Sequence, residues 1–331
     1  MKDKSVLHDH LDGGLRPSTI IELAALSSIK LPTTDKQLLE DWFFENISSD
    51  LNQVFNKFEL TISVMQDEES LERIAYEAVE DLTTDGISAG ELRYAPLQHL
   101  RRGLSPQNVI DSVSRGLQMG MDEFGGSFNS ILCAMRQNDD SSDVADLAVS
   151  NYLNGVVGFD LAGPEYGYPP SKHLEACMKI NNSEVGLTIH AGEAANFSYI
   201  EDAVLNCKAQ RIGHGWQVIE GCTEVDGLFE PNTQAAQYIL EEKIPLEVCI
   251  SSNVKSGASD VNIENHPVLK LFKSGFNITL NPDNRLMAST TLSKEFALAK
   301  KEFDLSDTDE DQIIQNTSNS CLLYTSDAAD E

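Results

Sequence analysis

Eight short, nearly unbroken apolar runs punctuate the chain: SVLHDH (5–10), ISAGELRYA (87–95), FNSILCAM (128–135), GVVGFDLAG (155–163), VGLTIHAG (185–192), QRIGHG (210–215), IPLEVCIS (244–251) and FNITLNPD (276–283). A strand with one wet face alternates apolar and polar residues, whereas runs this continuous suit parallel strands covered on both faces. Helical periodicity fills the intervals. Leu71, Ile74, Ala75, Ala78, Val79 and Leu82 repeat at helical spacing behind Asp67, a side chain suited to an N-cap. Similar amphipathic stretches cover 105–124, 139–153, 171–181, 198–208, 233–242, 264–274 and 290–302. Strands alternating with helices in this way predict a (β/α)₈ barrel of the TIM type. The first crossover, from Leu11 to about Gly86, is far longer than one helix needs. Its Trp42, Phe43, Phe44, Phe55, Phe58 and Met65 predict extra helices over one barrel mouth, with core packing the ordinary role for each aromatic.

Composition narrows the class without naming a chemistry. The 331 residues are 41% hydrophobic and 23% charged, ordinary for a globular protein with a substantial core. No apolar run approaches the roughly 20 residues that span a bilayer. The opening MKDKSVLHDH lacks the apolar stretch of a signal peptide. Six cysteines are scattered with no C-x-x-C pair, which argues against a zinc ribbon or disulfide scaffold and fits a reducing cytoplasm. With 24 basic and 53 acidic residues the net charge is −29, spread along the chain. Such a field makes nucleic acid and membrane poor partners and favours an uncharged small molecule.

The polar residues inside the strands carry the chemistry. His8 and His10 end the first strand, with Asp12 close behind; His190 ends the fifth, with Glu193 three residues on; His214 ends the sixth, and Asp283 and Asn284 the eighth. Barrel enzymes gather the C-terminal ends of their strands on one face, so four of the seven histidines converge there. An H-x-H on a strand turns both imidazoles to the same side. Singly, a strand-end histidine is as readily a hydrogen-bonded structural residue, and an aspartate a turn residue. Together, three histidines and a carboxylate form a nitrogen/oxygen set suited to one Zn2+. Zinc acidifies water to a pKa of ~7. A nearby carboxylate such as Glu193 can shuttle protons, and His214 can orient or deprotonate the water.

HDHLDGGLRP, VVGFDLAG, LTIHAGE, RIGHG and LNPDNRLMAS resemble, in order and spacing, the signature segments of the adenosine deaminase family. ELRYAP and ILCAMR are similar to its bacterial members, and the resemblance covers about residues 5 to 320. It implies zinc ligands at His8, His10, His190 and Asp283, Glu193 as the acid protonating the purine ring nitrogen beside the attacked carbon, and His214 as the residue handling the water. It further implies that Gly163 meets the other six-membered-ring nitrogen through its N–H, that Asp12 reaches the ribose hydroxyl, that His10 and Asn284 also contact the substrate, and that the substrate is adenosine or 2′-deoxyadenosine in purine salvage. A monomer or weak homo-oligomer is expected.

Two departures stand out. Asn284 occupies a position that is a second aspartate in many members; an amide can offer a hydrogen bond in its neutral form. After the asparagine- and serine-rich segment NTSNS, expected as a turn, Cys321–Glu331 has no amphipathic period. It reads as a non-native tail on a single domain over 1–320, with the last barrel helix incomplete. The competing substrates are adenine, an N6-substituted adenosine or AMP. AMP needs cations, for which Arg16 and Arg285 are the nearest candidates. FDLAG carries no lysine to bridge two metals, which favours one, and the H-x-E with P-C-x-x-C of cytidine deaminases is absent. A non-catalytic nucleoside-binding relative is the reading from a different class.

Overall fold

Every one of the eight apolar runs becomes a strand. The computed structural model describes residues 4–45, 51–255 and 261–322, with the side chains of 51–56 outside that description, Phe55 among them. The barrel strands are β1 (Lys4–His10), β2 (Ile87–Tyr94), β3 (Ser127–Met135), β4 (Val156–Ala162), β5 (Gly186–Ala191), β6 (Arg211–His214), β9 (Leu246–Val248) and β10 (Ile278–Leu280). Neighbours pair in parallel in that order. Between β6 and β9 lies an antiparallel hairpin, β7 (Cys222–Val225) and β8 (Leu228–Pro231), absent from the sequence expectation. Its signal was present: Asp226 and Gly227 at the tip both take positive φ (49° and 82°), the Asp-Gly turn that matches strand twist.

The long first crossover holds α1 (Pro17–Ser27), α2 (Lys36–Phe44), α3 (Leu51–Ser63) and α4 (Glu68–Thr84). Asp67 caps α4 as its position implied, accepting from Ser70 N at 2.9 Å. Further round the barrel come α5 (Pro106–Phe124), α6 (Ser141–Ser150), α7 (Leu174–Asn181), α8 (Phe197–Leu205), α9 (Gln234–Glu241), α10 (Ile250–Lys255) and α11 (Val268–Lys273). The chain then runs through α12 (Arg285–Ala288), α13 (Leu292–Phe303) and α14 (Asp307–Asn319), the last beside β10 and β1. Asn316–Asn319, expected within a turn, instead finish α14. A capping box at Ser306 starts the helix, and Thr317 and Ser318 return their hydroxyls to the carbonyls of Ile313 and Ile314 (2.8 and 3.1 Å), so these polar side chains cost the helix little.

Cys321 and Leu322, placed by the sequence in the tail, are buried; residues 323–331 lie outside the described residues. Leu322 packs with Ile131 and Val157 and fills the space above Gly158 and Gly186, where a Cβ would stand 2.7 and 2.4 Å from its methyl carbons. The barrel closes at its other end. Asp283 N donates to His8 O (3.0 Å) and His10 N donates to Asp283 O (2.9 Å), so the joining strands meet among the histidines. All six cysteines are free thiols. Among the described residues, no helix is long and apolar enough to cross a membrane.

Candidate active site at the C-terminal mouth of the barrel

β1 delivers two imidazoles to one point. Its register against β2 shifts between Val6 and Asp9, and Asn281 Oδ1 accepts from Leu7 N (2.9 Å) and His8 N (3.1 Å), donors bound here by a side chain. His8 Nε2 and His10 Nε2 lie 3.4 and 3.3 Å from Asp283 Oδ1, and His10 Nε2 lies 3.2 Å from His190 Nε2. Ligand atoms around a tetrahedral ion with bonds of about 2.0–2.1 Å stand about 3.3 Å apart, so the spacing fits a metal. Atoms of His8, His190, His214 and Asp283 also lie within 4.8 Å of one another, which places His214 at the edge of the same cluster.

Protonation favours the same outcome. His8 Nδ1 faces Glu247 Oε2 at 2.9 Å, and His190 Nδ1 faces Asp160 at 2.8–3.0 Å. A carboxylate only accepts, so both rings hold their proton on Nδ1 and present a lone pair at Nε2. Burial lowers the pKa of both, with Arg93 adding to the effect at His8, and the shift at His190 is large despite Asp160. Both rings therefore stay neutral. His8 Nε2 is buried with no hydrogen-bond partner, a donor left for an ion. His10 differs: burial opposes its charge, but Asp12 and Asp283 outweigh burial and raise its pKa.

His214 and Asp283 both take left-handed backbone angles, φ 61° and 60°. Histidine and aspartate tolerate that region better than most residues, yet it costs on the order of 1–3 kcal/mol and persists where surroundings impose it. Here Ser252 Oγ donates to Asp283 Oδ2, and the Asn253 amide sits 2.9 Å from His214 Nδ1. A chain of donors orders that amide. Val268 N donates to His266 Nδ1 (3.3 Å), His266 Nε2 donates to Asn253 Oδ1 (3.3 Å), and Asn253 Nδ2 donates to His214 Nδ1. Neutral His214 therefore carries its proton on Nε2, 3.7 Å from Glu193 Oε2.

Beneath the histidines the barrel interior is ionic. Arg93 donates to Asp160 Oδ2 and Glu247 Oε2 (2.8 Å each) and to Leu7 O (2.6 Å). Arg211 bridges Glu247 Oε1 (2.7 Å) and Glu91 Oε2 (2.6 Å). Burial alone would raise the carboxyl pKa values; His190 and Arg93 overcome it at Asp160, and Arg93 and Arg211 at Glu247, holding both ionised. Two guanidinium groups thus fix the two carboxylates that orient His190 and His8. The sequence reading passed over these residues, although charges inside apolar strands (GELRYA, FDLAG, LEV) are costly unless paired and were the available signal.

Above the cluster opens a cavity of about 390 Å³, within the range of small-molecule sites. His10, Asp12, Gly163, His190, Glu193, His214, Asp283 and Asn284 all line it, and only His8 lies beneath. Burial raises the pKa of Glu193 despite the opposing charge of His214, so its carboxyl retains a proton more readily than usual. Asp12 Oδ1 and Asn284 Oδ1 are buried acceptors without a hydrogen-bond partner, although Asp12 Oδ1 lies 3.7 Å from His10 Nδ1. Gly163 has φ 96°, and a Cβ there would stand 2.6 Å from Gln137 Oε1. Phe58 and Ile62 of α3 line the mouth; Phe58 packs against the main core as expected and also faces the cavity, whereas Phe43 and Met65 are fully buried. Arg101, unnoticed in the sequence, is the sole Arg or Lys of the lining among the described residues and is gripped by both oxygens of Glu59. Arg16 and Arg285, the cations considered for a phosphate, line a separate groove beside Asp81.

Comparison with known proteins decides the family. The family profile described as adenosine deaminase matches residues 3–328. The chain is 42% identical over 301 residues to adenosine deaminase 1 of Streptomyces coelicolor, covering 88% of this chain and 76% of that protein. The chain belongs to the adenosine deaminase family. It is equally similar to adenosine deaminase of Mycobacterium ulcerans, at 41% identity over 300 residues, 88% of this chain and 82% of that one. Among solved structures, adenine deaminase from Arthrobacter aurescens superposes with a TM-score of 0.84 at 25% identity, covering 97% and 94% of the two chains. Membership makes the chain a metal-dependent hydrolytic deaminase, and the histidine–aspartate cluster could hold a metal ion.

Proposed function

We propose that the chain hydrolyses adenosine and 2′-deoxyadenosine to inosine or 2′-deoxyinosine and ammonia, with one zinc ion held by His8, His10, His190 and Asp283. The observation that carries this is Glu193, whose carboxyl retains a proton more readily than usual, lining a cavity of small-molecule size with His10, His190 and Asp283, above a buried His8 Nε2 that has no hydrogen-bond partner. When bound, the ion supplies Lewis acidity that makes water a nucleophile near neutral pH. Glu193 gives its proton to the ring nitrogen beside the amino-bearing carbon, which makes that carbon electrophilic. His214 directs its Nε2–H at the attacking oxygen, the tautomer its neighbours impose. The carboxylate left on Glu193 then collects the two protons of water in turn. One leaves with the amino group as ammonia, and the other restores the acid.

A nucleoside is favoured over a nucleotide by charge. Besides the proposed metal ligand and proton donor, Asp12, Glu59 and Glu165 line the cavity, and the one Arg or Lys among the described lining residues, Arg101, is already paired with Glu59. The Asp12 oxygen, buried without a hydrogen-bond partner, favours a sugar hydroxyl over a bare base, and the Gly163 N–H is assigned to the second ring nitrogen. Asn284 serves the purine as a neutral amide. The setting proposed is the cytoplasm, in keeping with six free thiols. Ammonia release from adenosine, 2′-deoxyadenosine, adenine, N6-methyladenosine and AMP tests the reading. The two nucleosides are expected to dominate; a preference for adenine or AMP would overturn it.

A further inference from the structure

The loop after β5 carries Glu193 between His190, fixed in the cluster, and Asn196, which caps α8. Among the described residues the Glu193 side chain makes one ion pair, with His214 at 3.7 Å. Its aim depends on the backbone of residues 192–195, and that backbone is pinned from the neighbouring strand. Glu165, 3% exposed on the loop after β4, accepts from Gly192 N through Oε1 (2.8 Å) and from Ala194 N and Ala195 N through Oε2 (2.6 Å each). Bonds from N–H to a buried carboxylate are charge-assisted and about twice as strong as neutral ones. Other anchors are fewer: Gln217 donates to Glu193 O (3.3 Å) and Arg136 to His190 O. Gly192 at φ 72° completes the bend, where a Cβ would strike Ile200.

We propose that Glu165 is a positioning residue for the proton donor: through three backbone N–H groups it holds residues 192–195 so that Glu193 meets the substrate's ring nitrogen. The inference rests on Glu193 being that donor. Glu165 bonds the loop and not the metal donors: His190 is held by Asp160 and by Arg136, a guanidinium whose charge Glu165 also favours.

Kinetics and metal content of Glu165→Ala, Glu165→Gln, Glu193→Gln and the double variant Glu165→Ala/Glu193→Gln, with adenosine as substrate, test this. Misplacing a catalytic group by about 1 Å costs on the order of 100-fold, so kcat of Glu165→Ala should fall by about that factor with KM and zinc content nearly unchanged. Glu165→Gln keeps one acceptor oxygen and turns an amide N–H₂ toward a backbone N–H, so its kcat should lie between wild type and Glu165→Ala. The cycle separates positioning from general destabilisation: on the Glu193→Gln background, Glu165→Ala should change kcat by less than about threefold. An equal loss on both backgrounds, or a wild-type kcat in either metal-replete Glu165 variant, would overturn the proposal. If Glu165→Ala fails to fold, Glu165→Gln and its own double variant with Glu193→Gln carry the same test. A wild-type rate for Glu193→Gln would instead remove the reading beneath it.

Discussion

Asp160→Asn is the sharpest test of how the metal donors are held. Asp160 Oδ2 faces Arg93 at 2.8 Å and His190 Nδ1 at 2.8 Å, while Oδ1 faces His190 Nδ1 at 3.0 Å and His190 N at 3.2 Å. Every partner is a donor. An amide is the same shape but must turn its own N–H₂ toward Arg93 or toward His190. The first leaves a buried guanidinium short of a partner. The second forces the imidazole proton to Nε2, which removes the lone pair aimed at the cluster. Loss of such an outer partner lowers metal affinity by about 10–100-fold. Breaking a buried ion pair costs about 3–5 kcal/mol, an upper figure here because Arg93 retains Glu247 and Leu7 O. At ~2.1 cal/mol/K per residue over roughly 300 residues, that lowers Tm by about 5–8 °C. Asp160 is held below the usual carboxylate range, so its contribution is present at neutral pH and lost as pH falls; the variant should lose less stability in acid. Calorimetry gives Tm, and competition with a chelating dye gives zinc affinity. A lowered Tm with unchanged zinc affinity would refute the claim that Asp160 serves the metal through His190.

Other substitutions separate the remaining roles. Glu193→Gln should keep its zinc and lose about 10²–10⁴ in kcat, because it deletes a proton donor and not a ligand; equal loss of zinc would mean the residue is misassigned. His266 is pushed down to about 3 by burial and by His214, against an ordinary 6.5. Below pH 6.5 the unfolded chain therefore binds a proton that the folded chain refuses, so stability present above 6.5 is lost between 6.5 and about 3. His266→Gln should flatten that limb of a Tm–pH curve, and an unchanged curve would contradict the assignment. Glu59→Gln frees Arg101 and removes a negative charge at the cavity mouth, so kcat/KM for AMP should rise relative to adenosine by up to about fivefold, the roughly 1 kcal/mol that an exposed ion pair is worth. An unchanged ratio would mean that this pair does not govern substrate charge.

The barrel was legible because period carries architecture: unbroken apolar runs separated by helical repeats leave few alternatives. His8, His10, His190, His214 and Asp283 were legible because polar residues at the ends of buried strands have no structural need to be there. What escaped was whatever depends on contacts distant in sequence. Glu165 looks like an ordinary loop acid until its carboxylate is seen under the N–H groups of 192–195. Arg101 lies in a turn whose place at the cavity mouth follows only from how α3 folds over the barrel. Asn316–Asn319 have turn-like composition, and the packing of α14 on β10 and β1 that overrides it is invisible to propensity. Arg93, Asp160 and Glu247 were the avoidable omissions, since alternation along β2, β4 and β9 already turns them inward.

Ammonia release by zinc-loaded protein, measured on adenosine beside the Glu193→Gln variant at equal zinc content, tests the central claim most directly. One ammonia for each inosine from the wild-type chain and almost none from the variant is the expected result. A folded, zinc-replete wild-type chain that releases no ammonia from any adenine nucleoside would contradict it.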